Sequence, residues 1–213
     1  MTETKTSEPD GRRRRGDQSR AQVLGRAIQV ASVQGLSGLT IGGLAADLGI
    51  SKGNITVLFG DKESLQVRTL DAAVDLFVEK VIAPARKVAS PRRRLLRMCD
   101  GWFDFVEDRV LPGGCMLQAS MNEYRARPGP VQDRVKAHRT AWFQLLEQAV
   151  AAGKAAGEFR VDADPEQVAF EINAFQAAAN AACLLGDGKS FKRARKACRN
   201  LVAALTPEPD SHG

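Results

Sequence analysis

The 213-residue sequence is poor in the residue types that most often build chemical sites. It has two histidines, one tyrosine and four cysteines. The cysteines, Cys99, Cys115, Cys183 and Cys198, form no C-x-x-C pair and have no histidine at a zinc-ligand spacing. These absences exclude a zinc-finger pattern and argue against a disulfide framework. We interpret all four as buried, reduced thiols, with redox sensing as the alternative.

Enzyme motifs are absent as well. The sequence contains no nucleophile elbow, no phosphate-binding loop and no pair of metal ligands. His138 is the one histidine inside a patterned segment, and it lies in an apolar stripe, where histidine is more often a core residue than a pocket group. The sequence therefore predicts a protein that is not an enzyme and that requires no metal and no cofactor. An enzyme built on a helical bundle is the alternative from another class.

Long hydrophobic runs are also missing. No apolar stretch reaches the roughly 20 residues that span a bilayer, and no signal-peptide pattern follows Met1. The hydrophobic content of 44% is ordinary for a globular protein. We therefore expect a cytoplasmic protein with no membrane partner. The net charge of +6 and the pI near 9.4 are compatible with a polyanionic partner but do not establish one.

Residues 39–65 predict two short helices joined by a tight turn and followed by a third helix. Thr40 is a favourable N-cap, and the preceding Leu39 can pack on Leu44 to fix the start of the first helix. Gly49 suits the left-handed conformation that ends this helix, and Ser51 caps the next one. Two helices within fewer than about twenty residues are typical of a helix-turn-helix motif.

The second helix of this motif is expected to present polar side chains to DNA. Helical spacing turns Lys52, Gly53, Asn54 and Thr56 outward while Ile55 faces the core. Asparagine can pair bidentately with adenine, lysine can donate to guanine, and the threonine methyl can touch the thymine methyl in the major groove. We therefore predict that this helix reads base edges.

Other polar residues of the head are predicted to contact the DNA backbone. Thr40, Ser51 and Lys62 lie at helix starts, where free backbone amides favour a phosphate. A run of four arginines precedes the head in a polar stretch, residues 1–16, that we expect to be disordered: Arg12, Arg13, Arg14 and Arg15. This run is either a solvated tail or a segment that follows phosphates or enters a minor groove.

Residues 39–65 resemble the N-terminal domain of TetR-family transcriptional regulators. The match consists of the helix start, the small crossing residue, the turn, the aromatic end of the recognition helix and the start of the next helix: Thr40, Ala45, Gly49, Ile50, Ser51, Phe59, Asp61, Lys62 and Glu63. The sequence differs from the family pattern at Thr56 and Leu58, where tyrosine and histidine are usual. The resemblance implies a DNA-binding head followed by an all-helical domain that encloses an effector cavity.

The rest of the pattern predicts an all-α protein with two domains. A three-helix head spans residues 17–62, with Asp17 as the cap of its first helix, and a helical body spans residues 63–206. A long helical pattern over residues 61–81 joins the two without a flexible linker. The tail over residues 207–213 is polar and expected to be loose.

The body is predicted to bind a small, mainly apolar effector. Aromatic, methionine and polar side chains on its helices are the candidate pocket residues: Met98, Trp102, Phe105, Met121, His138, Trp142 and Asn173. Few charges lie on the inner faces, so a highly charged ligand would find little to offset its desolvation. A DNA-binding protein with a purely structural body is the alternative.

The last two helices are predicted to form a homodimer. Their apolar stripes look wider than one bundle needs, and a palindromic operator requires a two-fold partner. The candidate interface residues are Val168, Ile172, Phe175, Ala179, Phe191, Ala194, Cys198 and Leu201. Together these patterns predict a ligand-responsive DNA-binding regulator, expected to be a repressor that a small apolar effector releases from a double-stranded, palindromic operator.

Overall fold

A computed structural model describes the backbone of residues 8–207 and the side chains of residues 14–207. Within these residues the chain is helical and contains no strand, which confirms the all-α prediction. The elements, in order, are α1 Glu8–Gly38, α2 Ile41–Leu48, α3 Lys52–Phe59, α4 Lys62–Phe77, a π-helical segment Val78–Ile82, α5 Ala83–Arg86, α6 Pro91–Glu107, α7 Met116–Tyr124, α8 Pro130–Ala155, α9 Pro165–Leu184 and α10 Gly188–Ala204. No helix in the described part of the chain combines the length and the apolar composition that a bilayer span requires.

Helices α2 and α3 form the predicted helix-turn-helix. The Thr40 hydroxyl accepts a hydrogen bond from the Gly43 amide at 3.0 Å, and the Ser51 hydroxyl accepts one from the Asn54 amide at 3.2 Å. Gly49 ends α2 at φ 64°, the left-handed conformation that glycine adopts at little cost. A separate hydrophobic cluster holds the head together: Val23, Ala27, Leu39, Leu44, Ala45, Ile55, Phe59 and Leu65.

The first helix begins earlier than the sequence pattern predicts. Residues 8–16 are helical, so the predicted disorder of residues 1–16 is wrong for this part, and Asp17 lies inside α1 instead of capping it. Arginine is a good helix former and Pro9 is tolerated in a first turn, which explains the longer helix. Residues 1–7, residues 208–213 and the side chains of Arg12 and Arg13 lie outside the described part of the chain.

Helix α4 connects the head to the body. Its Leu65 belongs to the cluster of the head, whereas Leu70 and Ala73 belong to the core of the body. The helix continues through the π-helical segment into α5, so the predicted helical connection over residues 61–81 is present without an interruption. The sequence pattern did not indicate the π-helical geometry.

Hydrogen bonds also fasten the end of α1 to the body. The Glu123 carboxylate on α7 accepts the amides of Leu36 at 2.9 Å and Ser37 at 2.8 Å, while the Gly113 amide donates to the Ser32 hydroxyl at 3.2 Å. Glu123 caps the chain just after Gly35, whose φ of 76° breaks the regular geometry of α1. The head is therefore held by the body at a second place besides α4.

Most of the predicted dimer residues lie inside the chain's own core. The buried members are Val168, Ile172, Ala179, Phe191, Ala194 and Cys198, and only Phe175 and Leu201 are half-buried. This part of the interface prediction is wrong, because the apolar stripes of α9 and α10 pack on each other and on α6 and α8. Periodicity revealed a buried face on each helix but not which neighbour covers it.

The opposite face of α9 is exposed and apolar. Phe170 is 58% exposed and Leu185 is 85% exposed. Between them, four alanines are exposed at helical spacing: Ala174, Ala177, Ala178 and Ala181. We call this set of six residues the α9 surface. At this spacing the exposed apolar side chains lie along one side of the helix.

Candidate DNA-reading surface and ligand cavity

Helix α3 presents one polar face to the solvent. Lys52, Gly53, Asn54 and Thr56 are exposed, as the spacing predicts, while Ile55 is completely buried. The Thr56 hydroxyl donates to the Lys52 carbonyl at 3.1 Å. Because the hydroxyl proton is used in this bond, Thr56 can offer a base edge its methyl group and the acceptor lone pairs of its oxygen.

Val57 is a residue of this face that the sequence pattern did not single out. It is 86% exposed, which is unusual for a large apolar side chain next to a buried helix face. Its methyl groups stand beside Thr56 on the same short helix and suit contact with a thymine methyl. The sequence did contain a signal for this exposure, because Val57 falls outside the apolar stripe that contains Ile55 and Phe59.

The residues predicted to hold phosphates lie at helix starts. Thr40 and Ser51 use their hydroxyl oxygens as cap acceptors, so each hydroxyl proton stays available to donate to a phosphate. The Lys62 ammonium donates to the Ser37 carbonyl at 2.8 Å and keeps further donors free. In the arginine run, the side chains of Arg14 and Arg15 are exposed.

Asp61 fixes the start of α4 beside Lys62. Its carboxylate accepts the Ser64 amide at 2.7 Å. Hydrogen bonds from the amide and hydroxyl of Ser64 hold the pKa of Asp61 below its ordinary value. The carboxylate is therefore ionised at neutral pH, and this cap weakens only when acidic pH protonates Asp61.

A cavity of about 220 Å³ opens in the body between α4, the π-helical segment, α6, α7 and α8. Four of the seven predicted pocket residues line it: Trp102, Phe105, His138 and Trp142. Phe77, on the connecting helix, packs edge-on against Phe105 and Trp142, with ring centroids 5.6 and 5.5 Å apart. An aromatic cluster thus joins α4 to the wall of the cavity.

The other three predicted pocket residues do not line the cavity. Met98 is buried in the core of the body and Met121 packs against that core. Asn173, on α9, lies behind the wall, where its carbonyl oxygen accepts the side-chain amide of Gln118 at 3.0 Å. Helical spacing placed all three on inner faces, but the cavity occupies only part of that interior.

The polar groups of the cavity are mostly engaged by the chain itself. The His138 Nε2 atom lies 2.7 Å from a carboxylate oxygen of Asp71, which also pairs with Arg134 at 3.2 Å. With the Asp71 oxygen as the acceptor of this contact, the tautomer assigned to His138 is the one that donates from Nε2. Burial raises the pKa of the Cys115 thiol, which favours the neutral form, so Cys115 offers the cavity only a weakly polar group. The sequence pattern missed Gln118 and Arg86, which also line the cavity.

The remaining chemistry-bearing residues form no further site in the described chain. The four cysteines are free thiols, of which Cys99 and Cys198 are fully buried. Residues 14–207 contain no cluster of three or more histidine, cysteine, aspartate or glutamate side chains that could hold a metal ion.

Comparison with known proteins places these features in a family context. A family model described as the tetracyclin repressor-like C-terminal domain matches residues 91–198, just over half of the chain. No curated protein matches the chain.

Solved structures share the whole fold at low sequence identity. A TetR transcriptional regulator from Chloroflexus aurantiacus is 23% identical, with a TM-score of 0.83 over 91% of this chain and 98% of that one. A transcriptional regulator from Saccharomonospora viridis in complex with choline is 21% identical, with a TM-score of 0.76 over 91% and 100%. AibR in complex with isovaleryl coenzyme A and operator DNA is 19% identical, with a TM-score of 0.66 over 89% and 99%.

Proposed function

The chain belongs to the TetR family of transcriptional regulators, and from this premise we propose that it is a repressor that a small, mainly apolar ligand releases from its operator. The family match over residues 91–198 carries the premise. Members of this family are DNA-binding regulators, so this chain is a regulator and not an enzyme. The proposed target, double-stranded operator DNA, locates its action in the cytoplasm.

The location of the cavity is the main observation that supports ligand control. Ala73 and Phe77 of α4 and Val78 of the π-helical segment line it, while the first turn of the same α4 packs in the head. A ligand that displaces Phe77 would therefore tilt a helix that supports the recognition helix. This contact favours a ligand-responsive body over the purely structural alternative.

A second contact supports the same coupling. Cys115 and Gln118, at the start of α7, line the cavity, and Glu123 farther along α7 holds the Leu36 and Ser37 amides of the head. Ligand-induced movement of α7 would reach the head through this carboxylate. By linkage, the operator must weaken ligand binding by the same factor by which the ligand weakens operator binding, with a coupling free energy of roughly 1 to 3 kcal/mol.

Two structural relatives support both proposed partners, a small-molecule ligand and operator DNA. AibR was solved with an acyl thioester and operator DNA, and the Saccharomonospora viridis regulator with choline. These two ligands differ in chemistry, so the shared fold does not determine the ligand of this chain. Its ligand must follow from the residues that line its own cavity.

We place the homodimer contact on the α9 surface. An exposed stripe of Phe170, Leu185 and intervening alanines can approach its two-fold copy closely. Two heads related by such an axis would read half-sites separated by about 34 to 36 Å or a multiple of that distance. Operator palindromy would then mirror the symmetry of the protein.

The proposal is tested by selecting operator sequences with the purified full chain and then titrating small apolar compounds against the complex. Trp102 and Trp142 line the cavity, so ligand binding should change their fluorescence. Compounds that change this fluorescence should also release the operator. Compounds that bind the cavity and leave operator affinity unchanged would contradict ligand control.

Asn54→Ala and Lys62→Ala are expected to have different effects on operator recognition. The loss of Asn54, an exposed residue on α3, should cost about 1 to 3 kcal/mol and relax preference at one operator position. The loss of Lys62 should weaken all sequences alike and lower the salt slope by about 1. Binding of each variant to the selected operator, single-position variants and random DNA at several salt concentrations separates the two effects. An equal loss on every sequence for Asn54→Ala would refute base reading by that residue.

A further inference from the structure

Among the described residues that line the cavity, Arg86 alone carries a permanent charge. Within the described residues its guanidinium makes no hydrogen bond and no ion pair, whereas His138 is held by Asp71 and Gln118 by Asn173. A guanidinium has five donors in a planar fork that matches a carboxylate. The cavity thus combines an apolar wall with one unused, cationic recognition group.

We propose that the ligand of this cavity is a small amphiphilic carboxylate, whose anionic group pairs with Arg86 while its apolar part lies against Phe77, Phe105 and Trp142. This inference rests on the proposed function, because it names the ligand class of the same cavity. It replaces the broader expectation of a mainly apolar effector with one that carries a single negative charge.

The position of Arg86 makes this pairing favourable. The residue is exposed at the end of α5, so it stands at the mouth of the cavity and not in its interior. A carboxylate there stays partly hydrated and loses less solvation free energy than a deeply buried charge would. A cationic ligand would meet repulsion from Arg86 at the same place. None of the described lining residues is a carboxylate that would attract it, and Asp71, beside His138, is already paired with His138 and Arg134.

The volume of the cavity limits the apolar part. About 220 Å³ is below the roughly 300 to 1,000 Å³ that is usual for sites of drug-sized ligands. A short acyl chain or a single ring therefore fits better than a long lipid. Edge-on aromatic contacts of Phe77 with Phe105 and Trp142 define the surface that such a group would meet.

Three probes of matched length test the charge preference: hexanoate, hexan-1-ol and hexylamine. Each is titrated into the purified full chain at neutral pH while tryptophan fluorescence is followed. Hexanoate should bind about two- to fivefold more tightly than hexan-1-ol, because solvent weakens an ion pair at the exposed mouth, and hexylamine should bind most weakly. Added salt should weaken hexanoate binding and leave hexan-1-ol binding nearly unchanged.

Arg86→Gln should remove the preference for hexanoate and keep the affinity for hexan-1-ol. Arg86→Lys, which keeps the charge without the planar fork, should retain part of the preference. Lys87→Gln is the matched control, because Lys87 is an exposed neighbour that does not line the cavity. Circular dichroism verifies that each variant folds.

The outcomes separate this inference from the proposed function. Equal affinities for the three probes, a preference for hexylamine, or a hexanoate preference that survives in Arg86→Gln would overturn the carboxylate assignment and leave an apolar ligand possible. Failure of all three probes to bind would overturn both the assignment and the use of this cavity for ligand control.

Discussion

Phe170→Glu is expected to convert the protein into monomers and to weaken operator binding by about 100-fold or more. In the proposed dimer this residue occurs twice on a self-complementary surface, so the substitution would bury two carboxylates without partners. Loss of the second head removes the gain from binding two half-sites at once, which commonly amounts to about 10² to 10⁴. Helix content should stay unchanged, because Phe170 is exposed in the single chain.

Analytical ultracentrifugation and operator titration at micromolar protein concentration check this expectation. Val161→Glu is the control, because Val161 is 85% exposed and lies in the loop before α9, outside the α9 surface. This variant should remain dimeric and bind the operator normally. A wild-type monomer, or a Phe170→Glu variant that stays dimeric, would show that the dimer contact lies elsewhere or does not form. Phe175 and Leu201 are less suitable test positions, because both pack against the core and a charge there would disturb folding.

Gly113→Ala is expected to lower the free energy of unfolding by about 1 to 3 kcal/mol or more. A Cβ atom at Gly113 would lie 1.6 Å from the Ser32 carbonyl oxygen and 2.3 Å from its carbon. These are backbone atoms of α1, so no side-chain rotation can relieve the clash. The loop would have to separate from the helix and break the hydrogen bond from the Gly113 amide to the Ser32 hydroxyl.

Urea denaturation at one fixed protein concentration measures this effect, because the stability of a dimer depends on concentration. Gly25→Ala is the matched control. Gly25 lies within α1, and a Cβ atom there would meet nothing within 4 Å. Alanine should therefore stabilise this helix by up to about 1 kcal/mol. Equal stability of Gly113→Ala and wild type would mean that the loop does not pack on α1 as closely as described.

The helix-turn-helix could be predicted because its signals are local. Thr40, Gly49 and Ser51 act on amides and turns within a few residues of themselves, and the structure shows each cap where the sequence places it. The outward face of α3 follows in the same way, since Ile55 is completely buried and the neighbouring polar residues must then point away. In the head, the start of α1 was not predicted in this way, because residues without apolar periodicity can still extend a helix.

Residue spacing could not predict which neighbour each buried helix face of the body packs against. Ile172 and Cys198 lie on regular apolar stripes, and a stripe looks the same whether it packs inside one chain or against a second copy. The exposed Phe170 and its neighbouring alanines were outside the predicted interface for the same reason. Alanine occurs in cores, on surfaces and at contacts between helices, so alanines in the sequence did not indicate where the interface lies.

The cavity depends on residues that are distant in sequence. Phe77, Trp102 and Trp142 come from three helices, and neither their distances nor the empty volume between them follows from any one segment. Arg86 carries no local signal of a ligand role, because a charged residue near a helix end is ordinarily solvated. The sequence by itself determined most of the helices, the caps of α2 and α3 and the exposed polar face of α3, since these depend on neighbours three or four residues apart. Only the tertiary structure decided which α9 face stays exposed and that Arg86 stands beside an apolar cavity, because both depend on how separate helices pack.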